Sequence, residues 1–165
     1  MLARSIGGAL AILVIVASSA FASPPVRGPA DQSGKMIVVV RGNNDDLAVK
    51  RLRGQVADLE VELSPAPGAL EPALDAQLAT AARLAEAAGA RVVVWFVARA
   101  GGGGAVAIAM PADHRLFVRE LPRADPSALA EAEAVAARGA LQAIAACGTI
   151  GITVEPPPAV TAPVP

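Results

Sequence analysis

Hydrophobic and polar residues along this chain switch between two periods, and the switches mark out its elements. Residues 36–41, MIVVVR, are a β-branched run without polar alternation, the pattern of a strand buried on both faces. Gly42, Asn43 and Asn44 break that run. Asn44 or Asp45 is placed to cap a helix over 45–57, where Val49, Leu52, Val56 and Leu59 line one face and Lys50, Arg51 and Arg53 fall off it. Residues 59–63, LEVEL, alternate strictly, which predicts a half-buried strand with Glu60 and Glu62 on its polar side. Two prolines and a glycine make 64–69 a loop. A second helix is predicted over 71–88, with Leu70, Leu74, Leu78, Ala81 or Ala82, and Ala85 as its apolar face and Gly89 as its left-handed stop. Residues 91–99, RVVVWFVAR, read as a central strand with Trp95 and Phe96 on opposite faces. Strands over 105–110 and 115–121 complete a meander, with the glycines at 101–104 as a hairpin turn. A last helix, capped by Ser127, runs to about Cys147 and ends at Gly148, and 149–154 can add a short strand. The order is β-α-β-α-β-β-β-α with an optional final β. It predicts the α/β class: a mixed sheet of five or six strands, parallel where helices intervene and antiparallel in the meander, with helices packed on it.

The two ends do not fit this core. Residues 1–5 are short and carry Arg4, residues 6–17 (IGGALAILVIVA) are apolar, and Ala20-Phe21-Ala22 supplies a small-x-small cleavage pattern. Residues 1–22 therefore read as a signal peptide cut between Ala22 and Ser23. A retained anchor is the competing reading. A spanning helix needs about 20 apolar residues, and Ser18 and Ser19 interrupt this run. Residues 23–35 form a polar, proline- and glycine-containing leader, 36–154 one domain, and 155–165 (EPPPAVTAPVP) a proline-rich tail suited to extended conformations. The expected location is periplasmic or secreted, with no membrane span after cleavage.

Composition adds limits. Fourteen basic residues stand against fifteen acidic ones, so no electrostatic footprint points to nucleic acid. Cys147 is the sole cysteine, which leaves no internal disulfide. Its alanine-rich surroundings predict burial. Arginine far outnumbers lysine and alanine is abundant, as in proteins from GC-rich bacterial genomes.

No motif predicts catalytic, cofactor-binding or metal-ligating residues. Asn43, Asn44, Asp45 and Asp46 form the one candidate ligand loop, because they follow the carboxyl end of the first strand, where open α/β sheets hold ligands. Two carboxylates there repel a phosphate, and a calcium loop needs six or more oxygens, so helix capping is the simpler reading. His114 is the single histidine and reads as a solvated turn residue. Glu60 with Glu62, and Lys50 with Arg51 and Arg53, read as solvated faces.

The leading strand IVVVRG followed by DDLAVKRLRGQVADL, in this element order and behind a signal peptide, resembles the amino-terminal domain of TolB-like periplasmic proteins. It also resembles a set of exported proteins of myxobacteria and related bacteria, in which such a domain can precede a proline-rich linker and an outer-membrane barrel. The resemblance covers 36–154 and assigns no site residues. It implies a non-catalytic accessory module of the cell envelope whose partner is another envelope protein. Two other readings stand beside it: a small exported enzyme with its site at residues 43–46, and a truncated relative of a barrel-bearing protein.

Overall fold

The structure, a computed structural model, describes residues 35–42 and 45–155. The signal peptide with its Ala22–Ser23 cut, the leader up to residue 34, Asn43, Asn44 and the tail from 156 lie outside the described residues.

The elements run β1 (Met36–Arg41), α1 (Leu47–Gln55), β2 (Val61–Ala66), α2 (Leu74–Ala88), β3 (Val92–Ala98), β4 (Gly104–Met110), β5 (Arg115–Leu121), α3 (Pro126–Ala145) and β6 (Ile152–Thr153), with a 3-10 turn at Pro111–Asp113 between β4 and β5. They form one six-stranded sheet in the order β2-β1-β3-β4-β5-β6. β1 pairs in parallel with both β2 and β3, and the pairs β3–β4, β4–β5 and β5–β6 are antiparallel. This is the predicted class and element order.

Each sheet face carries its own core. On one side Val38, Val40, Val92, Val94, Val106 and Ile108 pack against α1 (Val49, Leu52) and α3 (Ala137, Leu141, Ile144). On the other side Val39, Val93, Trp95, Ala107, Ala109 and Leu116 meet α2 through Ala81 and Ala85. Burial on both faces explains why β1 and β3 lack polar alternation. Each fully buried valine or leucine contributes about 1.5–3 kcal/mol. Trp95 and Phe96 do fall on opposite faces, as alternation requires.

Several boundaries move, each for a local reason. β2 starts two residues late and continues through Pro65, because it is an edge strand and its proline need not donate to a neighbour on the open side. Leu59, Val61 and Leu63 still share the α1 side. α2 begins at Leu74, not at 71, since Pro72 disfavours helical geometry in the residue before it. Its stripe also rotates: Gln77, Ala81 and Ala85 are buried while Leu74 is 56% exposed. Gly89, at φ 61, closes α2 as predicted.

The caps shift as well. The residue before α1 is Asp46, neither Asn44 nor Asp45, and its side chain makes no capping bond. α3 is capped by Asp125, whose Oδ1 accepts from the amides of Ser127 and Ala128 at 3.1 and 3.0 Å, so Ser127 lies inside the first turn. Ala146 closes α3, and Cys147, at φ 58, takes the left-handed position expected of Gly148. That turn carries Cys147 off the helix into solvent, and the cysteine is exposed, not buried. Among the described residues no helix is long and apolar enough to cross a membrane.

Candidate functional site

Among the described residues three helices cover six strands unevenly: α1 and α3 lie on one face, and α2 is the one on the other, over β1 and β3. The α2 side of β4 shows only Ala105, Ala107 and Ala109, whose methyl groups stand low. Taller side chains flank them: Trp95 and Val97 from β3, Leu116 and Val118 from β5. The result is a groove of about 530 Å³ floored by alanines. Leu70, Pro72, Leu74 and Gln77, from the start of α2 and the loop before it, make the opposite wall. Leu74 and Val118 are 56% and 48% exposed, so the rim is apolar on both sides. Glu71 and Arg99 are its charged residues, and Arg99 holds Glu120 at 2.7 Å.

Buried polar groups lie beside this groove. Arg41, the last residue of β1, is two positions after Val39 and therefore on the α2 side, opposite Trp95 in the register with β3. It is 7% exposed. Its Nη2 donates to the carbonyl of Ala69. Its Nε and Nη1 are buried and find no acceptor among the described residues. Gln77, 3% exposed, accepts from the amide of Glu71 at 2.8 Å through Oε1, while its Nε2 has no acceptor there. Arg41 and Gln77 thus grip the same turn, at Ala69 and at Glu71, and between them keep three unused N–H-bearing nitrogens in a dry place. Of the two, Gln77 lines the groove and Arg41 does not.

The loop singled out by sequence lies elsewhere. Asp45 is exposed and pairs with Lys50 at 3.2 Å. The Asp46 carboxylate lies beside Gly42, where an added Cβ would come within 2.8 Å of its Oδ2. Neither acid lines the groove. Lys50 and Arg51 are engaged by Asp45 and Glu131, which neutralises much of the basic face of α1. His114 is an exposed turn residue at φ 50. Among the described residues no cluster of three or more histidine, cysteine or acidic side chains is arranged to hold a metal ion.

Sequence reasoning passed over Arg41 and Gln77, although both left a trace. Arg41 ends an otherwise apolar strand at the edge where α/β sheets hold ligands. Gln77 stands four and eight residues before Ala81 and Ala85, so it is a polar residue inside a buried helical stripe.

Comparison with known proteins finds no matching family model, no matching curated protein and no matching solved structure.

Proposed function

We propose that this chain is an exported, non-catalytic module of the bacterial envelope that holds an extended segment of another envelope protein in the groove on the α2 side of its sheet. The observation that carries this reading is the groove itself. It is open, floored by alanines, and bounded by exposed Leu74 and Val118. Contiguous exposed apolar surface of this kind marks interaction sites. Export rests on residues 1–22, and the resemblance in element order to TolB-like amino-terminal domains supports an accessory role.

Two measurements test the proposal. N-terminal sequencing of the cellular product is expected to begin at Ser23, and a cytosolic product still carrying Met1 would remove the envelope assignment. A photo-crosslinking residue at Val118 is expected to give a discrete adduct that disappears when Leu74→Asp is added. The same probe at Glu62, on the far edge strand, is expected to give none. Adducts from position 62 and none from 118 would refute the groove as the interface.

A further inference from the structure

We infer that the occupant of the groove joins the sheet as a further strand: an extended segment of a partner protein, with an acidic residue at its centre, lies beside residues 118–121 of β5. This rests on the groove being the binding face and adds how a segment is held there. β6 covers little of β5. It pairs with Arg115 and Leu116, and no strand among the described residues lies beside 117–121 on that side. The register fixes which backbone groups are open. Arg99 donates to the carbonyl of Gly103 at 2.8 Å across the β3–β4 hairpin, so Ala105 and Ala107 turn their backbone groups to β3, and Gly104 and Val106 turn theirs to β5. Leu121 and Arg119, opposite Gly104 and Val106, receive them. Val118 and Glu120 therefore aim their N–H and C=O groups outward, where no group among the described residues bonds them. A bare edge of this kind is a template for strand addition.

Alternation gives each face of the added strand its own surface. Val118 stands on the α2 side, at the groove described above. Phe117, Arg119 and Leu121 stand on the α3 side, where with Val135 they line a second apolar trough of about 400 Å³. Arg119 is the charged residue of that trough, is exposed, and has no acidic partner among the described residues. Glu120, on the other face, is held by Arg99. Charge complementarity therefore selects an acidic side chain opposite Arg119, with apolar ones opposite Phe117, Val118 and Leu121. The same charges reject a second copy of this chain. The two-fold register in which Val118 and Glu120 bond each other across the axis is centred on Arg119 and sets two guanidinium groups opposite each other. Centring on Glu120 opposes two carboxylates, and centring on Val118 sets Glu120 against Leu116, where β6 already lies.

The test uses the purified chain, amide exchange read by NMR, and the acetylated and amidated peptide Leu-Thr-Glu-Val-Leu, whose glutamate falls opposite Arg119 in the antiparallel register that continues the line of β6. The amides of Val118 and Glu120 are expected to exchange freely without peptide and at least ~10-fold more slowly when it is bound. Lysine in place of the peptide glutamate is expected to weaken binding ~10-fold or more, and Arg119→Glu to reverse that preference. N-methylation of the peptide threonine and valine, whose N–H groups face β5, is expected to abolish binding, whereas N-methylation of its glutamate leaves it. Protection of both amides in the peptide-free monomer overturns the open edge, and protection that appears on dimerisation overturns the choice of occupant. Equal binding of the glutamate and lysine peptides overturns the acidic centre. Binding that survives N-methylation of threonine and valine overturns strand addition and leaves the groove reading standing. Failure of every peptide to bind overturns the inference, and the crosslinking residue at Val118 then decides the groove by itself.

Discussion

Replacing Arg41 by methionine is expected to make the ligand-free protein more stable, although it deletes a hydrogen bond. The guanidinium is 7% exposed, and two of its nitrogens donate to nothing among the described residues. A buried donor left unpaired costs about 1–3 kcal/mol, so the two together cost about 2–6 kcal/mol. Against this, the bond from Nη2 to Ala69 is charge-assisted and contributes about 1.5–3 kcal/mol. Ala69 is itself exposed, so its carbonyl returns to water when the bond is lost. The balance runs from about −1 to about +4.5 kcal/mol and is centred near 2 kcal/mol in favour of methionine, in line with the behaviour of buried ionic groups replaced by apolar ones of similar volume. For a domain of this size, about 2 kcal/mol raises Tm by roughly 6–10 °C. Urea unfolding followed by the fluorescence of Trp95, the chain's one tryptophan, is the direct assay. The midpoint is expected to rise with the slope unchanged. Arg41→Lys, which keeps the charge, is expected to show no such gain. An Arg41→Met protein destabilised by more than about 1 kcal/mol would mean that the guanidinium is satisfied in the folded protein, and this reasoning would fall.

Other consequences follow from single contacts. Burial holds the Glu133 carboxyl above the usual carboxylate range, so its contribution to stability is complete below the unfolded value of about 4.3 and is lost as pH rises through the higher folded value. Glu133→Gln is therefore expected to be more stable than the parent at pH 8, with the difference closing near pH 4 in parallel thermal melts. Asp58 behaves in the opposite sense. The hydrogen bonds from Arg138, at 2.6 and 2.7 Å, hold its carboxyl below the usual range, so what it contributes is present at neutral pH and lost as pH falls through the lowered value. Asp58→Asn is expected to cost little, as exposed pairs do, and the loss should vanish in acid. Gly151→Ala puts a Cβ 2.4 Å from the Leu116 carbonyl at φ 73, and is expected to free β6 from β5 at a loss of about 1–3 kcal/mol, seen as rapid amide exchange at Val154. Asp125→Ala removes the two-amide cap of α3 and is expected to lower stability by about 1 kcal/mol in urea titration.

The sequence revealed the elements best where a strand or helix owes its pattern to one dominant neighbour. Residues 115–121 were placed to the residue, and β1 and β3 were recognised from their unbroken valines, because both faces of those strands are covered. It revealed least where the neighbour decides. Strand β2 absorbs Pro65 because no strand among the described residues pairs beyond it, an edge position that 59–63 on its own does not disclose. Helix α2 turns Leu74 outward and Gln77 inward, against simple hydrophobicity, because the loop residue Glu71 offers its amide to Gln77 and Leu70 and Leu78 already fill the space beside Ala81. Cys147 leaves the core for a similar reason. Gly148 donates to the carbonyl of Ala143 at 2.8 Å, and the turn that makes this bond lifts the cysteine into solvent.

The binding site was harder to read than the fold because its defining property is the product of distance along the chain. An arginine at the end of a strand is ordinary when its head reaches water. Arg41 is unusual only because residues 68–71 fold back over it, twenty-eight positions away at Ala69, and seal its guanidinium from solvent. The alanines of β4 work in the same indirect way. In sequence, 105–110 reads as a strand of small apolar residues. In the sheet, their small size on the side that α2 covers in part, the one helix there among the described residues, turns them into a groove floor. Each half of the site is thus unremarkable by itself. A trough of small residues without donors would bind apolar chains indiscriminately, and a buried guanidinium without a trough would only destabilise the fold. The residue that belongs to both is Gln77, a buried side chain in the groove wall whose Nε2 has no acceptor among the described residues.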